Sequence, residues 1–79
     1  MNNQGKEPYG THGRIDFTRL WEYLKIRGYN KQWLKDRHIH SNTIAKMVKN
    51  ENVSCDVLCR LCDILNCRLD EIAEYKRIQ

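Results

Sequence analysis

One spacing recurs five times in this chain and limits its fold more than any other feature. An apolar residue stands before a capping position and another follows five residues later: Ile15 with Leu20, Tyr29 with Leu34, Ile39 with Ile44, Val53 with Leu58, and Cys67 with Ile72. This is the hydrophobic staple, in which the residue preceding a helix N-cap packs on one in the first turns of the helix. The intervening caps are Asp16, Asn30, His40, Ser54 and Arg68. Asp, Asn and Ser suit that position because their side-chain oxygens accept from free backbone N–H groups. His40 and Arg68 are poor caps, and Ser41 competes with His40 for the third start.

The apolar periodicity agrees with the staples. Phe17, Leu20, Trp21 and Leu24 follow the i, i+3, i+4, i+7 pattern of one helix face, and Gly28 stops that helix. Leu58, Leu61, Cys62 and Leu65 repeat the pattern, and Asn66 suits a left-handed cap. The spacing predicts an all-α fold of five short helices, over about 17–27, 31–37, 41–49, 55–65 and 69–75, with no strand. A chain of 79 residues is one domain at most. Residues 1–14 carry Asn, Gln, Gly, Pro and Thr without apolar periodicity and read as a flexible arm; residues 15–79 read as the domain.

Several function classes are disfavoured at this stage. So short a chain cannot enclose a deep pocket and keep a core. Its Asp and Glu are scattered, and it has no Gly-rich phosphate loop and no Ser-His-Asp grouping, so no enzyme is expected. No apolar run approaches the ~20 residues of a membrane span, and no signal-like apolar segment opens the chain, which makes the cytoplasm the expected location. Cys55, Cys59, Cys62 and Cys67 are then free thiols, with Cys62 and Cys67 in the core and Cys59 most exposed. Their C-x3-C-x2-C-x4-C spacing lacks the paired loops of a zinc site, and His12, His38 and His40 have no ligand spacing among themselves. No metal or cofactor is expected. Trp21 and Trp33 read as core or half-core residues.

Function concentrates in the second and third helices, both short and separated by His38 to His40. A tight turn between short helices is the core of a helix-turn-helix, whose second helix lies in the DNA major groove. From Arg19 to Asn50 there are eight Lys and Arg against Glu22 and Asp36, a local excess of positive charge that attracts a polyanion. Ser41, Asn42 and Lys46 fall on the exposed side of helix three, while Ile44, Met47 and Val48 point inward. Asn pairs with adenine and Lys with guanine. Lys31, Gln32, His40, Lys49 and Asn50 surround this face and suit phosphate contacts.

These segments resemble the Cro/repressor-like (XRE) family of helix-turn-helix regulators. The resemblance runs from about Asp16 to Tyr75 and is carried by Gly28 to Leu34, Ile39 to Ser54, Leu58 to Leu65 and Cys67 to Ile72. It is also similar, more narrowly, to the small stand-alone regulators of VanG-type glycopeptide-resistance operons. The resemblance implies a lambda-repressor-like domain whose last two helices support the core and often form a dimer contact. It implies Lys31 as phosphate anchor, Ser41, Asn42 and Lys46 as base readers, and Thr43 and Asn50 near the backbone. The sequence departs from the family where Gly usually precedes the turn Ile. Here His38 stands there, the turn is one residue shorter, and a non-Gly residue must take a positive φ. The reading is a homodimeric, sequence-specific regulator binding double-stranded DNA at a promoter or operator. Its alternatives are a protein-interaction module, antitoxin-like or an accessory subunit, and a thiol or metal sensor.

Overall fold

The computed structural model describes residues 13–77. The elements run β1 (Gly13–Asp16), α1 (Thr18–Arg27), α2 (Lys31–Asp36), α3 (Ser41–Val48), α4 (Cys55–Leu65), a 3-10 turn (Leu69–Glu71) and β2 (Glu74–Arg77). The arm expected over 1–14 lies outside the described residues except for Gly13 and Arg14, which belong to β1.

The helices start largely where the staples place them. Asn30 accepts from the N–H of Trp33 at 2.9 Å, and Ser54 accepts from that of Val57 at 3.2 Å. His40 is the cap of α3 after all, its Nδ1 accepting from the N–H of Asn42 at 3.1 Å. The first start differs by a residue: Phe17 occupies the cap position of α1, while Asp16 accepts from the N–H of Thr18 at 2.9 Å.

The stops share one device. Each of the four α-helices is closed by a residue in the left-handed region, namely Gly28, His38, Asn50 and Asn66, with φ of 76°, 69°, 57° and 52°. In each case the next N–H reaches back to a carbonyl five residues earlier: Tyr29 to Leu24, Ile39 to Leu34, Glu51 to Lys46 and Cys67 to Cys62. These are Schellman closures, which satisfy carbonyls that the helix end leaves unpaired. Only one of the four uses glycine, which takes the left-handed φ without the strain that a Cβ brings to the other three.

Phe17, Leu20, Leu24, Leu34, Ile39, Ile44, Met47, Leu61, Leu65, Ile72 and Ala73 form the buried core, to which every helix contributes. Val48, expected inward, is 48% exposed at the end of α3. Cys62 and Cys67 are half-buried against the core rather than within it.

The fifth helix is the main correction, and with it the all-α class. Over 69–75 the chain makes only the 3-10 turn and then enters β2. Arg68 has no acceptor with which to cap a helix; instead Glu71 accepts from the N–H of Arg68 at 2.8 Å, closing a single turn. Ile72 and Ala73 then enter the core, and the chain leaves extended to pair antiparallel with β1, in the register Gly13↔Arg77, Arg14↔Lys76, Ile15↔Tyr75, Asp16↔Glu74. Gly13 lets the exposed Tyr75 side chain lie over it, since a Cβ there would push the Tyr75 hydroxyl aside. The described fold is therefore mostly helical, with four α-helices and a two-stranded sheet.

Candidate nucleic-acid interface

The arrangement of α2 and α3 follows from the turn between them. Leu34 and Ile39, the residues joined by the closure at His38, are both buried, so the turn is anchored from below. From the side, Arg60 of α4 donates to the His38 carbonyl at 3.2 Å and pairs with Asp56 at 3.3 Å. The shortened, glycine-free turn is thus held by packing and by a cation on its carbonyl.

Helix α2 is stiffened on its own surface. Tyr29 stacks on Trp33 at 4.0 Å and 7°, and the Arg37 guanidinium lies 3.8 Å from the centre of the Trp33 ring. Two groups this close cannot share one side of a ring, so they sandwich the indole. Lys31 Nζ lies 5.8 Å from the Trp21 ring centre, and Gln32 donates to Asp36 Oδ1 at 2.9 Å.

On α3, Ile44 and Met47 are buried, and Ser41, Asn42, Ala45, Lys46 and Lys49 are exposed along the opposite side. Thr43 is half-buried at the flank. The three residues expected to read bases are therefore together on one accessible face. Between α2 and α3 runs a shallow groove of about 330 Å³ lined by Lys31, Lys35, Ser41, Ile44, Ala45, Val48 and Lys49. Three of these seven lining residues are lysines, so the groove lies in a region of positive charge.

Two of the residues assigned to phosphate contacts have other work. His40 commits Nδ1 to the cap, which leaves its ring proton on Nε2. Asn50 turns its amide back into the protein: Oδ1 accepts from the N–H of Phe17 at 2.8 Å, and Nδ2 donates to Asp16 Oδ2 at 3.3 Å. Asn50 thereby ties the end of α3 to β1. Asp16 is itself buried, and hydrogen bonds from Thr18, with smaller help from Lys76 and Arg14, hold its carboxyl below the usual carboxylate range.

Lys35 and Ala45, which the sequence reading did not single out, also line the groove between α2 and α3. Lys35 lies one turn beyond Lys31 on α2, and Ala45 lies one turn beyond Ser41 on α3. The i, i+4 relation to a residue already chosen was the available signal.

The cysteines are separate from this surface. All four are free, with Cys55 and Cys59 exposed. Burial pushes the thiols of Cys62 and Cys67 up, that of Cys67 to about 11. Among the described residues no group of three or more His, Cys, Asp or Glu could hold a metal ion, and no helix is long and apolar enough to cross a membrane.

Comparison with known proteins bears on the same region. Residues 19–77 match the family model of the Cro/C1-type HTH DNA-binding domain. No curated protein matches the chain. Among solved structures, the crystal structure of the transcriptional regulator VanUg (Form II) is similar at 34% identity and a TM-score of 0.82, covering 92% of this chain and 99% of that one.

Proposed function

The chain belongs to the Cro/C1-type helix-turn-helix DNA-binding family, and from that premise we propose that it is a transcription regulator that binds a promoter or operator as a homodimer, with α3 in the major groove. The observation that carries this reading is the exposed face of α3, where Ser41, Asn42, Ala45 and Lys46 stand over a side fixed by buried Ile44 and Met47. Asn42 can pair with an adenine edge, Lys46 with guanine N7 and O6, and the Ala45 methyl can touch a thymine methyl. Ser41 can bond to either kind of base. Lys31, Gln32, Lys35, Lys49 and the Nε2 of His40 grip the flanking phosphates, with Thr43 beside them. Asn50 acts by holding α3.

One such module buries little DNA surface, which favours two copies on half-sites about one helical turn apart. A shallow depression of about 240 Å³ along α4, lined by Leu58, Cys59, Cys62, Asp63 and the exposed Leu69, is the surface on which the second copy docks. The protein acts in the cytoplasm, by binding alone, with no catalytic step.

The test is a footprint on the DNA upstream of the protein's own gene, followed by titration of the protected duplex and a scrambled one. Asn42→Ala and Lys46→Ala each lose about 1–3 kcal/mol on the protected duplex and little on the scrambled one. Lys31→Ala weakens both and makes the salt slope shallower by about one. Equal losses on both duplexes for Asn42→Ala and Lys46→Ala would show that α3 is not the reader.

A further inference from the structure

The sheet sets two like charges against each other. In its register Arg14 stands directly opposite Lys76, and both are exposed. Like charges at directly opposed positions destabilise a two-stranded pair. Arg77 follows at the end of β2, exposed and opposite a glycine that offers it no partner.

The acidic residues that share the Arg14–Lys76 face neutralise it only in part. Glu74 pairs with Arg19 at 3.5 Å. Asp16 is buried and accepts from the N–H of Thr18 and from Asn50 Nδ2, and Lys76 Nζ approaches it at only 4.0 Å. Among the described residues Arg14 and Arg77 have no ion pair.

The position of the sheet gives this charge a direction. Asn50, which closes α3, holds the N–H of Phe17, and Asn52 accepts from the N–H of Ile15 at 3.2 Å. Asn50 Nδ2 and Lys76 Nζ converge on the same oxygen, Asp16 Oδ2. The sheet is therefore joined to the end at which α3 would leave the groove, next to a sugar-phosphate backbone. A regional charge count along the chain hides this, because Arg14 comes from one end of the sequence and Lys76 and Arg77 from the other.

We propose that the β1–β2 sheet is a second contact with the same duplex, in which Arg14 and Lys76, supported by Arg77, bind backbone phosphates beside the groove occupied by α3. The inference rests on the α3 reading. A phosphate between Arg14 and Lys76 turns their mutual repulsion into two attractions, and it carries no base information, so the contact adds affinity without altering sequence preference.

The experiment compares wild type with the double variant Arg14→Gln, Lys76→Gln on the footprinted and scrambled duplexes over a range of salt. Each phosphate contact contributes roughly 0.9 to the slope of log K against log salt, so loss of two makes the slope shallower by about 1.8 and weakens binding by roughly tenfold or more at physiological salt. Both duplexes lose equally, and the ratio between them is unchanged. The charge-preserving swap Arg14→Lys, Lys76→Arg keeps the slope. Thermal unfolding checks that the double Gln variant, which loses both the Arg14–Lys76 repulsion and the attraction of these cations to Asp16, is still folded at the temperature of the binding assay. An unchanged slope and affinity, in a protein whose Asn42→Ala variant still loses discrimination, overturns the proposal and leaves the α3 reading standing. Failure of the wild type to bind any duplex would overturn both.

Discussion

Asn50 offers the sharpest test of how the interface is held together. It is left-handed, at φ 57°, and its amide accepts from the N–H of Phe17, just after β1, and donates to Asp16 at the end of β1. Asn50→Ala removes both bonds. The N–H of Phe17, whose side chain is fully buried, loses its partner, and an unpaired buried donor costs about 1–3 kcal/mol. A left-handed backbone costs a residue with a Cβ a further ~1–2 kcal/mol, of which Asn avoids part through its local hydrogen bonding. The expected loss is about 2–4 kcal/mol, set against the roughly 4–12 kcal/mol available to a domain of this size. Asn50→Gly separates the two contributions, because glycine tolerates the φ and loses only the bonds; it should lie about 1 kcal/mol above the alanine variant. Urea unfolding followed by the fluorescence of Trp21 and Trp33 reads both, with an unchanged m-value confirming that the same surface is exposed. If both variants unfold within about 0.5 kcal/mol of wild type, the amide bonds do not hold the end of α3 and this account of the site is wrong.

Three further outcomes follow from the same structure. His38→Gly relieves a left-handed cost of about 1–2 kcal/mol against an entropic cost of about 0.5–1 for glycine, so Tm rises by up to about 4–8 °C, and a fall would show that the His38 side chain itself supports the turn. Asp16 titrates below its ordinary value of 3.8 in the folded protein, so its stabilisation is complete above that value and is lost as pH falls through the lower folded value; Asp16→Asn should flatten that acid limb in urea titrations, and an identical pH dependence in the variant would refute the assignment. At neutral pH an aromatic disulfide reagent should modify Cys55 quickly and Cys62 and Cys67 slowly, since burial keeps the latter pair as thiols; equal rates for these three would contradict that difference.

What the sequence disclosed divides along the range of the interactions. Caps and staples act within five residues, so Asn30, Ser54, Gly28 and Asn66 could be read directly, and each does what its residue type implies. The exposed face of α3 was legible for the same reason, because helical periodicity separates Ile44 and Met47 from Asn42 and Lys46. The sheet was not legible. Its strands are four residues each, lie at opposite ends of the chain, and present only Ile15 and Tyr75 as an apolar cross-strand pair. Without its partner, Glu74–Arg77 is a polar segment, and the Cys67–Ile72 staple ahead of it invited a helix that Arg68 could not cap. The intramolecular bonds of Asn50 were hidden for a different reason. A polar residue at the end of a basic helix reads as a phosphate contact until a distant backbone donor, that of Phe17, claims its oxygen.

This pattern assigns separate tasks to residues that the sequence groups together. His40 and Asn50 stand at the two ends of α3, and both point a polar atom at the protein's own backbone. Arg60 does the same for the turn before it. What remains free on the helix between those fixed ends is Ser41, Asn42, Ala45, Lys46 and Lys49. A reader of base edges needs its backbone held so that a one-turn spacing such as Asn42 to Lys46 meets a fixed interval of the groove. On the proposed reading, Asn50 at the end of α3 affects binding through the orientation of the helix, and Asn42 and Lys46 along its middle act by touching the bases.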